Sequence, residues 1–331
     1  MKVDCEMNIH RRRFLQLATS AAGLPLLSHT VFAQNYPARP VRLIVGFPAG
    51  GAADTVSRII GDWLSRRLGQ QVIIDNRPGA GSALSVVAVT KEPPDGYSIL
   101  YYGASALVNK VLHPSHPYDL VRDIAPVAGL VDFPMVLVVH PSVPVRSVGE
   151  LIGYAKANPG KLNMASFGVG TSSHLAGESF KIMADINMMH VPFSGGAPMA
   201  MGMVGGHVQV AFDVITTSLP HIRSGALRPL GVLGRQRLDI LPGVPSVSET
   251  LPDYEAATWA GIGVSKGTPQ EIIALLNREI NAGLRDSATR SRMEAEGAIP
   301  LIMSPDQYGA FVKAEIEKWA HVVKVAGIKP E

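Results

Sequence analysis

The stretch Val41–Asp54, VRLIVGFPAGGAAD, decides the fold of this 331-residue chain. Its first five residues are mostly apolar and predict a buried strand, which runs through a glycine loop into an amphipathic helix that Gly69 should end. About four N–H groups at the start of a helix have no partner inside it, and that end carries roughly half a positive charge. The loop is therefore suited to bind a carboxylate or a phosphate.

Two later loops repeat this design. One is Asn163–His174, NMASFGVGTSSH, which adds the hydroxyls of Thr171, Ser172 and Ser173 to its glycines, and the other is Val191–Ala197, VPFSGGA. A tight turn explains any single glycine loop. Three such loops in one chain favour a cleft in which helix ends from two sides face the same ligand.

Apolar runs alternate with helical patterns along the chain and predict an α/β fold with sheets covered on both faces. The continuous apolarity of most runs is typical of buried parallel strands. Ligands of such folds lie beyond the carboxyl ends of the strands. The predicted strands are Val41–Val45, Val72–Asp75, Ser98–Tyr102, Met135–His140, Lys161–Ala165, Val208–Phe212 and Pro229–Leu233.

Residues 1–33 have the features of an export signal of the twin-arginine type. A basic block at Arg11–Arg13 precedes a short run of apolar and small residues from Leu17 to Leu27, and small residues near Ala33 form a cleavage site. The run is shorter than the roughly 20 residues of a membrane span, although a buried helix is an alternative reading of it. Export would place the protein in the periplasm.

Cysteine and charge narrow the function classes. The chain's one cysteine, Cys5, would leave with the signal, so disulfides, thiolate metal sites and cysteine nucleophiles are not expected. Without residues 1–33, 26 basic side chains face 25 acidic ones. A near-neutral surface without a basic stripe argues against nucleic acid as a partner.

Several motifs, in order along the chain, resemble the Bug family of periplasmic solute-binding proteins, which serve tripartite tricarboxylate transporters. The likeness covers essentially the whole chain after residue 33. Its motifs are YPARPV at Tyr36–Val41, GFPAGGAAD at Gly46–Asp54, DNRPGAG at Asp75–Gly81, PDGY at Pro94–Tyr97, GVGTSSH at Gly168–His174, VPFSGGA at Val191–Ala197, PGVP at Pro242–Pro245 and WAGIGV at Trp259–Val264, followed by Gly267–Pro269.

The resemblance implies a two-lobed, type II periplasmic-binding-protein fold with a central sheet in each lobe and a ligand closed between them. Residues 34–137 with 258–331 should form the first lobe and residues 138–257 the second. Met135–His140 and Trp259–Val264 should carry the chain across a two-strand hinge. A monomer without a cofactor is expected.

The same resemblance implies a ligand site. The first loop would hold a carboxylate through Phe47, Gly51 and Ala52, with Asp54 beside them to cap or order the loop. The second lobe would contribute Thr171, Ser172, Gly195, Ala197 and Asp213. Departures from the family pattern at Ser82–Ala83, Val87 and Phe193–Ser194 suggest a less polar pocket and a ligand with an apolar or aromatic body.

Two other site chemistries are weaker alternatives. Ser172, His174 and Asp213 could in principle form a hydrolytic set, but Ser172 and His174 point away from each other when two residues apart on a helix. Met199, Met201 and Met203 resemble a soft copper site, although on a helix the first and last share a face and Met201 leaves it, which favours core packing. No metal is predicted.

The residues and the resemblance together predict a non-enzymatic receptor. It would capture a small organic anion, most simply a carboxylate, and deliver it to the membrane subunits of a tripartite tricarboxylate-type transporter. A periplasmic enzyme on the same scaffold and a ligand-sensing subunit of a signalling system are the alternatives.

Overall fold

The structure of the chain is a computed structural model that describes residues 36–325. Within that range the strands form one six-stranded and one five-stranded sheet, connected by helices. The predicted α/β fold, with a central sheet in each of two lobes, is therefore confirmed. The predicted export signal, residues 1–33, lies outside the described residues.

The bounds of the elements are as follows. The strands are β1 (Val41–Val45), β2 (Val72–Asn76), β3 (Ser98–Gly103), β4 (Ile124–Phe133), β5 (Met135–Val139), β6 (Asn163–Ser166), β7 (Met189–Pro192), β8 (Val210–Val214), β9 (Arg228–Val232), β10 (Thr258–Ser265) and β11 (Ile299–Pro300). The α-helices are α1 (Ala52–Leu68), α2 (Ala83–Thr90), α3 (Ala104–Leu112), α4 (Val148–Ala157), α5 (Ser172–Ala184), α6 (Gly196–Val204), α7 (Ile215–Arg223), α8 (Gln270–Arg285), α9 (Ser287–Ala295) and α10 (Pro305–Val325).

Both sheets mix parallel and antiparallel strands. The first has the order β11-β4-β10-β3-β1-β2 and the second β7-β6-β8-β5-β9. The predicted parallel pairing holds for β1 with β2 and β3, and for β6 with β7 and β8. It is wrong for β5 and β9, which pair antiparallel with each other, because β5 enters its sheet directly from the other sheet rather than through a covering helix. Strand β10, for which no pairing was predicted, is also antiparallel to its neighbours β3 and β4.

Two connections cross between the sheets. The first is Pro134, since β4 ends at Phe133 in the six-stranded sheet and β5 begins at Met135 in the five-stranded one. The second precedes Thr258, where β10 returns the chain to the first sheet. The crossings therefore lie just before β5 and β10, not along those strands as expected. The lobe bounds at residues 137 and 258 stay a prediction.

Strand β4 was not predicted, because Pro126 and Gly129 interrupt its apolar run. Proline cannot donate a ladder hydrogen bond and is tolerated in a sheet at irregular or unpaired positions. Pro126 lies opposite Gly263, beside a shift in the register between β4 and β10. On its other side β4 meets only the two residues of β11, which pair with Asp132 and Val131.

The six-stranded sheet is buried on both faces. Successive side chains of a strand point to opposite faces, so Leu43 and Val45 contact a core that includes α1 and α8, whereas Ile44 lies in a second cluster with α2 and α10. Each of these three side chains is fully buried, worth about 1.5–3 kcal/mol apiece relative to exposure. Helix α1 ends at Gly69, as predicted, with that residue in the left-handed conformation. The strand β1 thus holds the glycine loop on a rigid base.

Candidate functional site

A cleft lies between the two sheets, at the carboxyl ends of β1, β3 and β8. It contains about 540 Å³ of space, part of it open to solvent. Its position follows the general rule that ligands of α/β folds lie beyond the carboxyl ends of strands. Residues from both sheets form its wall, so a guest in it would touch both halves of the molecule.

The loop after β1 borders this cleft. Phe47, Gly51 and Ala52 line it, and so do Pro48 and Ala53. Gly51 is the N-cap of α1 and provides no side chain to bond the first N–H groups of that helix. These groups are left to a ligand, which is what the sequence predicts for this loop.

Asp54 lies behind the loop and outside the cleft wall. It is 3% exposed, and its Oδ2 accepts hydrogen bonds from the Gly50 N–H at 3.0 Å and from Arg58 Nε at 2.8 Å. Burial alone would raise the pKa of Asp54, but the bonds from Arg58, Gly50 and Asn76 outweigh it and leave the pKa below its ordinary value. The carboxylate is therefore ionised and fixes the glycine turn.

The start of α6 meets the start of α1 across the cleft. A methyl group placed on Gly51 would lie 3.7 Å from the backbone nitrogen of Ala197. Gly195 precedes α6 with φ of 144° and packs directly against the ring of Pro48, an approach that a side chain at position 195 would block. Gly196 lines the cleft, whereas Gly195 and Ala197 flank it. Two helix ends from the two halves thus converge within a few ångströms.

Three more helix starts face the cleft, and the sequence patterns predicted none of them. Ser82 lines the cleft as the N-cap of α2 and makes no side-chain bond to that helix. Gly103, Ala104 and Ser105 line the cleft at the start of α3, and Val214 and Thr217 line it at the start of α7. Neither α3 nor α7 has a side-chain cap at its N-terminus. Each follows a strand that the sequence did predict, so the rule placing ligands beyond strand ends could have found them.

The hydroxyl of Thr217 is a candidate ligand contact. Thr217 is 9% exposed and lines the cleft, and its Oγ1 is buried without a hydrogen-bond partner among the described residues. It lies beside the start of α6, since a methyl group on Gly196 would be 3.1 Å from that oxygen. A buried hydroxyl without a partner carries a free-energy cost, which a ligand oxygen would relieve.

The second glycine loop reaches the cleft wall only through Phe167, and the start of its helix lies off the wall. Thr171 is the N-cap of α5, and its Oγ1 donates to the Gly168 carbonyl at 2.6 Å and accepts from the His174 N–H at 3.5 Å. Ser172 is buried and also lies off the wall. The loop packs instead against α3, where Gly170 contacts Asn109. A ligand role for Thr171 and Ser172 stays a prediction that the cleft geometry does not favour.

Asp213 is likewise behind the wall. Its two carboxylate oxygens accept from the Val214 N–H at 2.7 Å and from Ser218 Oγ at 2.6 Å, so it is occupied at the start of α7. Burial raises the pKa of Asp213 to about 7, against the lowering effect of these two hydrogen bonds. A direct bond to a ligand would require it to give up one of these partners.

The alternative chemistries are not assembled. Ser172 Oγ has no hydrogen-bond partner among the described residues, and His174 stacks on His190 with ring centroids 4.1 Å apart, so Ser172 is not joined to His174 as a nucleophile to its base. Met199 and Met203 are buried and Met201 is 65% exposed, as core packing predicts. Within residues 36–325 no group of three histidine, cysteine or acidic side chains is placed to hold a metal.

The cleft wall is apolar and carries no charged side chain. Phe47 and Phe167 approach from opposite sheets, with ring centroids 6.2 Å apart at an interplanar angle of 84°. Phe133 and Tyr101 complete the aromatic part of the wall. The indole of Trp259 points elsewhere, because its N–H donates to Glu315 Oε2 at 2.9 Å. Attraction for an anion must therefore come from backbone N–H groups and hydroxyls.

Comparison with known proteins identifies the family. A family model described as the tripartite tricarboxylate transporter family receptor matches residues 56–328. Protein BugT of Bordetella pertussis is 37% identical over 316 residues, which cover 95% of either chain.

Two solved structures agree with this match. Rpa4515 of R. palustris, solved with adipate, has a TM-score of 0.87 and 35% identity, over 89% of this chain and 100% of that one. The periplasmic binding protein BugD has a TM-score of 0.86 and 32% identity, over 89% and 100%. The chain belongs to the tripartite tricarboxylate transporter receptor family, which consists of periplasmic solute-binding receptors and not of enzymes.

Proposed function

We propose that this protein captures a small organic carboxylate in the cleft and delivers it to the membrane subunits of a tripartite tricarboxylate-type transporter. One observation carries the proposal: five helices begin at an uncharged cleft without side-chain caps. Such ends bind anions through backbone N–H groups and the helix dipole. The adipate in the R. palustris relative supports a carboxylate as the guest.

Binding couples naturally to closure of the two halves. The starts of α1 and α3 belong to the six-stranded half, and those of α6 and α7 to the other. A carboxylate that accepts from Gly51–Ala53 and from Gly196 and Thr217 needs both halves close together. The guest then stabilises the closed arrangement in preference to an open one, and the closed form is what the transporter would recognise.

The proposal includes export to the periplasm by residues 1–33, and a monomeric receptor. Its family membership fits a periplasmic site of action, since BugD is a periplasmic binding protein. The lack of cysteine after Cys5 means that folding there would not depend on disulfide formation. Amino-terminal sequencing of the exported protein should begin near Gln34, and an intact start at Met1 would contradict this part.

A thermal-shift screen of carboxylates tests the function. A guest at about 100 times its dissociation constant should stabilise the fold by roughly 2.7 kcal/mol. The matched neutral amide of each acid is the control, because it lacks the charge that the helix ends recognise. A guest recovered unchanged after long incubation supports a receptor, whereas product formation would favour the enzyme alternative. Loss of uptake of the same acid in a deletion strain tests delivery.

A further inference from the structure

We infer that the natural guest carries a single carboxylate on an apolar, ring-sized body, and that Phe47 and Phe167 select this body. The inference rests on the proposed function and narrows it to one class of ligand. Two independent features of the cleft support it: the positive charge that its helix ends can offer, and the composition of its wall.

The first feature is the balance of charge around the cleft. The starts of α1, α6 and α7, which converge at one place in the cleft, offer about +0.5 each, or roughly +1.5 together. Asp54 lies in the first turn of α1 and is ionised, which cancels about one of these charges. Its partner Arg58 does not restore it fully, because that side chain is 53% exposed and water and salt screen it.

The positive potential at the start of α7 is also reduced by a nearby carboxyl group. Asp213 accepts from the N–H of the N-cap Val214 at 2.7 Å and removes further positive potential whenever it is ionised. The first N–H of the helix, that of Ile215, already donates to the Pro134 carbonyl at 2.9 Å. What remains is about one positive charge at most, which matches one carboxylate. A second carboxylate would have to leave water for a cleft without an Arg, Lys or His side chain on its wall.

The positive charge is also concentrated at one place, where the helix ends converge. The starts of α1, α6 and α7 meet around Gly51, Gly196 and Thr217, so one carboxylate can accept from all three. Elsewhere on the wall the start of α3 offers about half a charge, and the first N–H of α2 already donates to the Ala80 carbonyl. The remaining polar side chains of the wall are neutral hydroxyls at Ser82, Tyr101, Ser105 and Thr258. These can bond an uncharged substituent of the guest but supply no charge for a second acid group.

The second feature is the aromatic part of the wall, against which the body of the guest would lie. Phe47 comes from the loop after β1 and Phe167 from the loop after β6, so their rings approach from the two halves of the molecule. Phe133 lies at the crossing between the sheets. Rings of this kind offer no hydrogen bonds to hydroxylated or polyacidic chains, but they bury apolar surface and stack at an angle against another ring.

Calorimetric titration of the purified protein tests the inference. The probes are benzoate, cyclohexanecarboxylate, benzamide, adipate, malate and citrate at one pH and ionic strength. We expect the two ring monocarboxylates to bind at least tenfold more tightly than each of the other four. Tighter binding of adipate, malate or citrate would overturn the single-charge inference and leave the carboxylate receptor intact. Benzamide binding as tightly as benzoate would overturn the role of the charge, and failure of every acid would remove the proposed function itself.

Ring-removing variants test the wall separately. Phe47→Leu and Phe167→Leu should each weaken benzoate at least fivefold and weaken adipate less. Phe311→Leu is the matched control, since Phe311 packs on the outer side of Trp259 at 4.7 Å between ring centroids. Equal weakening in the control, or unchanged benzoate affinity in both test variants, would overturn the selection by Phe47 and Phe167. Thermal melts without ligand show whether each variant is folded.

Discussion

The loop between β1 and α1 and the loop between β6 and α5 both join a parallel strand to a helix, but only the first leaves its helix start free. At the first, the N-cap Gly51 has no side chain to bond the helix. At the second, Thr171 bonds the helix with its own hydroxyl. A helix start can bind a guest only where the chain has not already bonded it.

This difference extends to the other helices of the described region. The helices that begin at the cleft wall have Gly51, Ser82, Gly103, Gly195 and Val214 at their N-caps, without side-chain bonds. Helices that begin elsewhere include α4, α5 and α9, which are capped by Ser147, Thr171 and Asp286. A side-chain cap therefore marks these three helix starts as serving stability, whereas a missing cap is not specific to the cleft, because α8 also begins without one after Pro269.

The largest expected effect comes from giving the first loop a cap of its own. In Gly51→Asp the new carboxylate would bond the start of α1 and occupy the place of the guest. The backbone at Gly51 is extended, with φ of −90°, so it accepts a side chain. We expect carboxylate affinity to fall at least 100-fold, or about 2.7 kcal/mol, with the free energy of unfolding unchanged or raised.

Gly51→Ala is the matched control for this change. Its methyl group would meet Ala197 and Pro48 at ordinary contact distances of 3.7 and 3.8 Å. Affinity should stay within a few-fold of the parent protein in calorimetric titration. Full binding by the aspartate variant would show that the guest does not depend on the start of α1.

The buried carboxyl groups of Asp54 and Asp213, which lie behind opposite sides of the cleft, provide the next test. Burial raises the pKa of Asp213 to about 7, above its ordinary value of 3.8. A carboxyl group whose pKa is raised by folding contributes its full stability below its ordinary pKa. This contribution is lost as pH rises through the pKa of the folded state. Asp213→Asn should therefore gain stability over the parent between about pH 4 and pH 7, by on the order of 2–4 kcal/mol, and keep that gain at higher pH.

Urea unfolding of both proteins across this range measures the difference. Asp54→Asn should show the opposite dependence on pH. Because the pKa of Asp54 is lowered, the stability that its carboxylate contributes is lost as pH falls below its ordinary pKa. A gap between parent and Asp213→Asn that does not change with pH would show that Asp213 is not held at a raised pKa.

Sequence patterns predicted much of the fold but less of the cleft. Strands β1, β2, β3 and β5 begin at the predicted residues, because their apolar runs are local and uninterrupted. Strand β4 could not be found this way, since Pro126 fits a sheet only through its position at an irregular pairing. Antiparallel entry of β5 and β10 depends on the order in which the chain visits the two sheets, which local pattern does not contain.

For the site, Phe47, Gly51 and Ala52 were predicted and line the cleft, while Thr171, Ser172 and Asp213 lie behind it or away from it. The glycine loops have similar sequences because glycine is favoured in a tight turn, whether or not that turn lies at the cleft. Thr217 was missed because its hydroxyl matters only through its position beside Gly196, which is set by packing of α6 on α7. N-cap identity was available in the sequence and separates some of these cases.

A smaller effect is expected from removing the cap of the second loop. Thr171→Ala removes the hydroxyl that bonds both Gly168 and His174, so α5 loses its cap. We expect the free energy of unfolding to fall by about 1–2 kcal/mol, measured in urea, with carboxylate affinity within threefold of the parent. Thr171→Ser keeps the hydroxyl and should lose less. A large loss of affinity in Thr171→Ala with little change in stability would place the start of α5 at the ligand after all.

The smallest effect separates two buried hydroxyls that lack partners, Thr217 Oγ1 at the cleft and Ser172 Oγ in the second loop. Thr217→Val keeps the shape and removes the hydroxyl, and we expect carboxylate affinity to fall about five- to tenfold, the value of roughly one hydrogen bond. Ser172→Ala should leave affinity unchanged and stability unchanged or slightly higher, since it removes an unsatisfied polar group. The reverse pattern in titration would mean that the guest reaches the start of α5, and that an uncapped helix start is not what distinguishes the two regions.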